Sequence, residues 1–510
     1  MSGLVPNKSR LLVPLLAAAL AGACTGDPAP PASGDPDGTS MVIAVADEPA
    51  DVNPLSGYAE NGAAKLFDGL VEHEADLALR PALAVDLPEP SADGRSWTVR
   101  LRGNVTFADG SPFEAEDVVA TYRAVLEPAR KSPARQRFSM LKDVTALNAS
   151  TVRFDLSAPY APFPELLVLG VVSSESVATR EPVGTGPYAL QSWTRGQRMV
   201  LTANPSYWND PPAVEKVTVE FIPDDDARAA RLRAGKLDGA VLPPPLAAGF
   251  EDIDGMLVAY HSAADVRAVV LPTGDPVTGD VALRLALNHA VDRETMVDDA
   301  VATKARVAYT PMPHVLAEFV DPDATFEFDV TRALDALSAG GWLPGEAGVR
   351  TKNGVPARFT LNYPAGDAVS EALAQAFAAN ARAIGVEVTP TPATSDLPGP
   401  SVVRFGDPFD PDPDLYPLVH SGSALGGYGN ETVDEALETA RQATDPAQRA
   451  TAYRKFQRSW VSAPGMVVLV APNHTYVMRE SWDGYQPVVD AAGSDFTWGA
   501  WWNLEDWTPR

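Results

Sequence analysis

Cysteine is almost missing from this chain: Cys24 is the only one in 510 residues, so no intrachain disulfide can form. Catalytic signatures are missing as well. There is no Gly-x-Ser-x-Gly elbow, no Gly-x-x-x-x-Gly-Lys phosphate loop and no His-Glu-x-x-His helix. The six histidines, His73, His261, His289, His314, His420 and His474, are scattered without metal-ligand spacing. With no nucleophile in a catalytic setting, no metal set and no cofactor loop, the chain is expected not to be an enzyme and to need no cofactor. Positive charge is scarce, 40 Lys and Arg against 67 Asp and Glu, a net charge of -27. Phosphate backbones repel such a surface, which argues against nucleic acid as a partner. Long apolar runs are scarce near the start, where residues 11–19 are too short a stretch to span a bilayer.

That stretch belongs instead to a leader. Lys8 and Arg10 form a charged start, residues 11–19 an apolar core, and Leu20-Ala21-Gly22-Ala23 a small-residue site directly before Cys24. The position of Cys24 resembles a bacterial lipobox, which implies lipidation of Cys24 and attachment of a soluble domain to the outer face of the membrane. Plain secretory cleavage is the competing reading. Loss of residues 1–23 removes two positive charges and no acid, which takes the charge from -27 to -29. Residues 24–40 hold no large apolar side chain after the cysteine and read as a flexible tether. The acidity of the rest is that of a solvated surface.

About 470 residues remain, too many for one ordinary core, so at least two lobes are expected. Helix-then-strand units recur along them. Asp224 caps a helix carrying Leu232, Gly235 stops it, and residues 237–242 follow as a strand. Leu373, Phe377 and Ile384 share a helical face before Gly385 and a strand over residues 386–388. Asp445-Pro446 opens a helix with Tyr453, Phe456 and Trp460 on one side, ended near Pro464 before a strand over 466–470. Such alternation makes the lobes mixed α/β.

Several segments are distinctive. In residues 182–208, Gly184 and Gly186 permit close backbone approach, Pro187 fixes a turn, strands follow over 188–190 and 199–202, and Asn204-Pro205 turns the chain before Tyr207 and Trp208. Residues 101–118 combine a strand, an Asp109-Gly110 turn and a helix with acids at its amino end. Leu66-Phe67-Asp68-Gly69-Leu70, Leu79-Arg80-Pro81-Ala82-Leu83-Ala84 and residues 282–293 complete the set. In their order along the chain they resemble the family 5 extracytoplasmic solute-binding proteins, which deliver peptides, and sometimes other small solutes, to ABC importers.

The resemblance implies an α/β, two-lobed periplasmic-binding-protein-like fold (type II, cluster C) with an extra inserted subdomain. It places lobe I at residues 41–61, 182–258 and 480–510, the inserted subdomain at 62–181 and lobe II at 259–479. It also implies a monomer that closes on a short peptide or other small solute and docks on an ABC permease. By order, the Asp that meets the ligand's α-ammonium falls on Asp407, in Arg404-Phe405-Gly406-Asp407-Pro408-Phe409-Asp410-Pro411-Asp412-Pro413-Asp414. A carboxylate in a poorly hydrated cleft suits an ammonium. Asp410 is the second candidate there. A rigid solvated loop of caps and turns is the competing reading of the same acids. A calcium loop is excluded by spacing, since Leu415 stands where it needs glycine. The aromatic carboxyl end, with Trp498, reads either as core packing or as a wall of the ligand cleft. Leu271-Pro272-Thr273 lacks the Asn that usually precedes the Pro, and that departure implies a changed ligand. A different class of function on the same scaffold, a lipoprotein regulating envelope assembly, stays open.

Overall fold

The structure, a computed structural model, describes residues 38–510 except 303, 395–398, 424 and 494–495. The expected leader, Cys24 and most of the tether lie outside the described residues. Among the described residues no helix is long and apolar enough to cross a membrane.

The first lobe is built on a seven-stranded sheet in the order Met256–His261, His474–Arg479, Gly239–Val241, Ser40–Val45, Lys216–Phe221, Arg198–Ala203, Tyr188–Thr194. Ser40–Val45 runs parallel to both its neighbours, and the remaining pairs are antiparallel. Both faces of the sheet are covered. Met41, Ile43 and Val45 enter the large core that also holds Trp501 and Leu504, whereas Ala44 and Val477 pack with Leu232 and Phe250. The helix Asp225–Arg233 starts where Asp224 accepts a hydrogen bond from the Ala227 amide, 2.7 Å, and ends before Gly235 at φ +69°.

The inserted region carries a four-stranded antiparallel sheet, Glu89–Pro90, Ser96–Arg100, Thr151–Leu156 and Leu141–Asn148 in that order. The helix Ala115–Leu126 packs against it, its first turn closed by Glu114 and Asp117 in a capping box. Residues 182–188 fasten this region to the lobe. A Cβ on Gly184 would lie 2.0 Å from the Leu66 carbonyl oxygen and one on Gly186 2.5 Å from the Leu66 carbonyl carbon, so only glycine fits. Tyr207 and Trp208 are half-buried rather than core, and both donate hydrogen bonds to the buried Asp68 carboxylate.

The second lobe holds a six-stranded sheet, Ala305–Val307, Met466–Pro472, Val266–Val270, Ser401–Phe405, Arg358–Pro364, Glu387–Ala393. Helices Val281–Ala290, Val330–Ala339 and Ala368–Ala383 cover one face, and Asp412–Val419, Glu431–Gln442 and Pro446–Ser462 the other. The chain passes between the lobes at residues 262–265 and again at Asn473. These crossings differ from the boundaries at 258 and 479 expected from sequence. The strand His474–Arg479 pairs along its whole length with Met256–His261 in the first sheet. Two apolar runs, 466–472 and 476–478, are separated by Asn473-His474-Thr475, where the chain leaves one sheet for the other.

Candidate functional site

Between the lobes the chain places one charge of each sign face to face. The strand Ser401–Phe405 ends at Gly406, whose φ of +135° is open only to glycine, and a Cβ there would lie 1.8 Å from the Ala264 carbonyl oxygen at the crossing. The turn delivers Asp407, 4% exposed, into the interlobe space. Its Oδ1 accepts from the Phe409 amide at 2.8 Å and the Asp410 amide at 3.3 Å, and its Oδ2 accepts from the Arg137 guanidinium of the inserted subdomain. Burial pushes the Asp407 carboxyl up to about 7, with Arg137 pulling it down and Asp414 adding to the rise. On the other side Asp407 holds the Arg137 proton more tightly than usual, against the burial that would expel it. Glu60 stands 3.8 Å from the same guanidinium.

The other acids of the loop have different employment. Asp410 is bound by Arg449 of its own lobe at 2.5 Å and caps the Asp412 amide at 2.8 Å. Asp412 crosses to the subdomain, accepting from Tyr160 Oη at 2.7 Å and from Arg441 at 2.8 Å. Asp414 accepts from the Gly406 amide at 3.1 Å. The structure therefore brings Asp407 to the cleft and sets Asp410 in an ion pair beneath it.

Phe409 projects from the same loop across the cleft. Its ring stacks on His73 at 3.6 Å between centroids and meets Trp498 edge-on at 5.0 Å. Trp498 is buried, its indole N–H donating to the Val489 carbonyl at 3.0 Å, and it packs with Trp502, Val488 and Ala491. Trp501, by contrast, is core, against Tyr476 and Gly239. Trp498 and Trp501 are thus both buried, in different apolar clusters. His73 Nε2 pairs with Glu165 at 2.8 Å. Burial pushes His73 down to about 3, reinforced by Arg137, and pushes Glu165 up to about 8, so near neutrality this is a neutral hydrogen-bonded pair.

The cavity enclosed by Arg137, Asp407, Phe409, Glu60 and Glu165 is small, about 20 Å³, roughly the room for one water. The lobes therefore meet across the cleft. Among the described residues no three His, Cys, Asp or Glu side chains are grouped to hold a metal ion. Sequence reasoning singled out Asp407, Asp410 and Trp498 and did not single out Arg137, Glu165 or Phe409, which stand beside them. One signal was available: Arg130, Lys131, Arg135 and Arg137 crowd four basic residues into one short stretch of an acidic chain.

The sequence model for bacterial extracellular solute-binding proteins, family 5, matches residues 78–425, more than half of the chain. Protein XP55 of Streptomyces lividans is 43% identical over 473 residues, covering 87% of this chain and 86% of that protein. The nickel-binding periplasmic protein of Escherichia coli (strain K12) is 30% identical over 366 residues, 67% of this chain and 69% of that protein. Among solved structures, NikZ from Campylobacter jejuni in complex with Ni(L-His) superposes with a TM-score of 0.84 at 26% identity, covering 92% of this chain and 99% of that one. The oligopeptide-binding protein AppA from Bacillus subtilis, in complex with a nonapeptide, superposes at 0.82 and 24% identity over the same shares of the two chains, a likeness of fold.

Proposed function

Because the chain belongs to the bacterial extracellular solute-binding proteins of family 5, we propose that it captures a short peptide, or a related small solute, between Arg137 and Asp407 and hands it to an ABC permease. The buried pairing of these two residues from opposite lobes carries the reading. A solute bearing an ammonium and a carboxylate can replace each partner of that pair, its ammonium on Asp407 and its carboxylate on Arg137. Both buried charges then keep a partner while the lobes close on the solute, which avoids the large penalty of an unpaired buried charge. Phe409, His73 and Trp498 offer an apolar wall for a side chain. Asp410, bound to Arg449, supports the loop beneath the ligand and fixes where Asp407 points.

In this reading the protein does no chemistry on its solute. It works as a monomer outside the cytoplasm, held to the membrane by lipid on Cys24. A second reading, capture of a metal chelated by amino acids, is favoured by the likeness to the nickel-binding protein of Escherichia coli and to NikZ in complex with Ni(L-His). In that case the chelate's carboxylate is held by Arg137. Native mass spectrometry of the protein isolated from its own cells distinguishes the two. Adducts at peptide masses are expected. A metal-containing adduct selects the second reading, and a protein partner with no small solute overturns both in favour of the envelope regulator.

A further inference from the structure

The two crossings divide the space between the lobes into a front and a rear. Alternation along the strands fixes which side chains look where. In the first sheet Met41, Ile43 and Val45 face the carboxyl-terminal tryptophans, and Ala44 and Val477 face the helices Asp225–Arg233 and Pro244–Ala247. In the second, Val266, Ala268 and Val270 face Asp412–Val419, and Val269 and Leu271 face Ala368–Ala383. The Arg137–Asp407 site lies on the first face of each sheet. A second cleft, of about 490 Å³, opens on the other two, bounded by Asp47 and Arg228 from lobe I and by Asp367 and Arg404 from lobe II, with His474 and Thr475 beside the crossing.

Most charges in this rear cleft are already matched. Arg228 bonds Asp225, and Arg267 bonds Asp265 at 2.8 Å and Asp367 at 2.7 Å. His474 lies between Asp265 at 3.3 Å and Asp490 at 3.1 Å. Two charges are left over, Asp47 on one lobe and Arg404 on the other, both exposed and neither with a partner among the described residues. A third group is unsatisfied: Thr475 is 2% exposed and its Oγ1 has no hydrogen-bond partner among the described residues. A buried hydroxyl left unpaired is unfavourable, and this one stands beside the cleft.

We propose that the rear cleft is a second binding site, taking a small zwitterion, a free amino acid in the simplest case, with its carboxylate on Arg404 and its ammonium on Asp47. One unmatched charge of each sign, on opposite lobes, suits a ligand with one charge of each sign, and neither an anion nor a cation alone satisfies both. The mechanics follow from the crossings. Rotation that parts the lobes in front brings them together behind, so an occupant of the rear cleft resists opening and holds the front cleft shut. The site is separate from the front one, and the coupling is reciprocal: a solute that closes the front also favours the rear occupant.

Isothermal calorimetry of the whole protein with L-alanine as probe tests this, alongside Arg404→Gln, Asp47→Asn and the front-site variant Asp407→Asn. The two rear positions are exposed, so those variants should keep the wild-type thermal midpoint. In Asp407→Asn, where the front site has lost its partner for an ammonium, L-alanine is expected still to bind, and adding Arg404→Gln or Asp47→Asn to that variant is expected to weaken the binding about tenfold or more. Acetate and ethylamine, which carry one charge each, are expected not to displace it. Absence of L-alanine binding in Asp407→Asn, or binding there that survives Arg404→Gln unchanged, would overturn the proposal.

Discussion

Single side chains near the crossings set how this protein responds to pH. His474 sits between two carboxylates, and although burial works against its charge, Asp265 and Asp490 raise it from 6.5 to about 9. A histidine raised on folding stabilises the folded state fully below its unfolded value and loses that contribution as pH rises through the folded one. The same carboxylates, held below their ordinary values, contribute above the carboxylate range and fail only in acid. The contribution of His474 is therefore expected to be whole below pH 6.5 and to be lost, on the order of 3 kcal/mol, as pH passes 9, read as the difference between wild type and His474→Gln because Asp407 and Glu165 titrate below that range. Urea midpoints measured from pH 6 to pH 9.5 check this, and His474→Gln should flatten the decline. The residues of the front site were legible only in part. Asp407 stands in a recognisable Asp-Pro loop, but its partner Arg137 lies 270 positions away, and no local pattern announces so distant an ion pair. Asp410 was the second candidate after Asp407, and both precede proline in the same short stretch. What separates them is that Arg449 comes up from the helix Pro446–Ser462 to meet one and not the other.

At the level of elements the helices were the clearest part. Asp224 and Asp445 were each read as opening a helix, and each accepts a hydrogen bond from the amide three residues on, 2.7 and 2.8 Å. Asp445→Ala should lower stability by about 1 kcal/mol, seen as a lower urea midpoint with an unchanged slope. The glycine segment carries a stronger expectation. Gly184 and Gly186 have ordinary backbone angles, so their need for glycine is one of space against Leu66 rather than of conformation. Gly184→Ala forces the segment off the 65–67 backbone and should destabilise by about 2 kcal/mol or more. Thermal denaturation at wild-type affinity for the solute would show the effect is structural. Strand ends were the least legible, since a residue such as Val470 or Val477, buried on both faces of its sheet, gives no alternation to say which sheet it joins.

For the molecule as a whole, two lobes joined at residues 262–265 and 473 make the front cleft a matter of position rather than of shape alone. Its present volume, about 20 Å³, admits no peptide. On the proposed reading the protein populates a more open arrangement and solute shifts it back. Small-angle scattering should show a larger radius of gyration without solute than with it at saturation. The proposed anchor is tested separately: Cys24→Ser should move the protein from the membrane fraction to the soluble one. The central claim, that Asp407 and Arg137 hold the two ends of a small charged solute, has its most direct test in calorimetry with a peptide recovered from the protein. The account predicts that Asp407→Asn weakens binding by about thirtyfold to several-thousand-fold, the equivalent of roughly 2–5 kcal/mol for a desolvated charge pair, and that N-acetylation of the peptide weakens wild type to a similar degree. Equal affinity of wild type and Asp407→Asn for the free peptide, with acetylation also without effect, would contradict it.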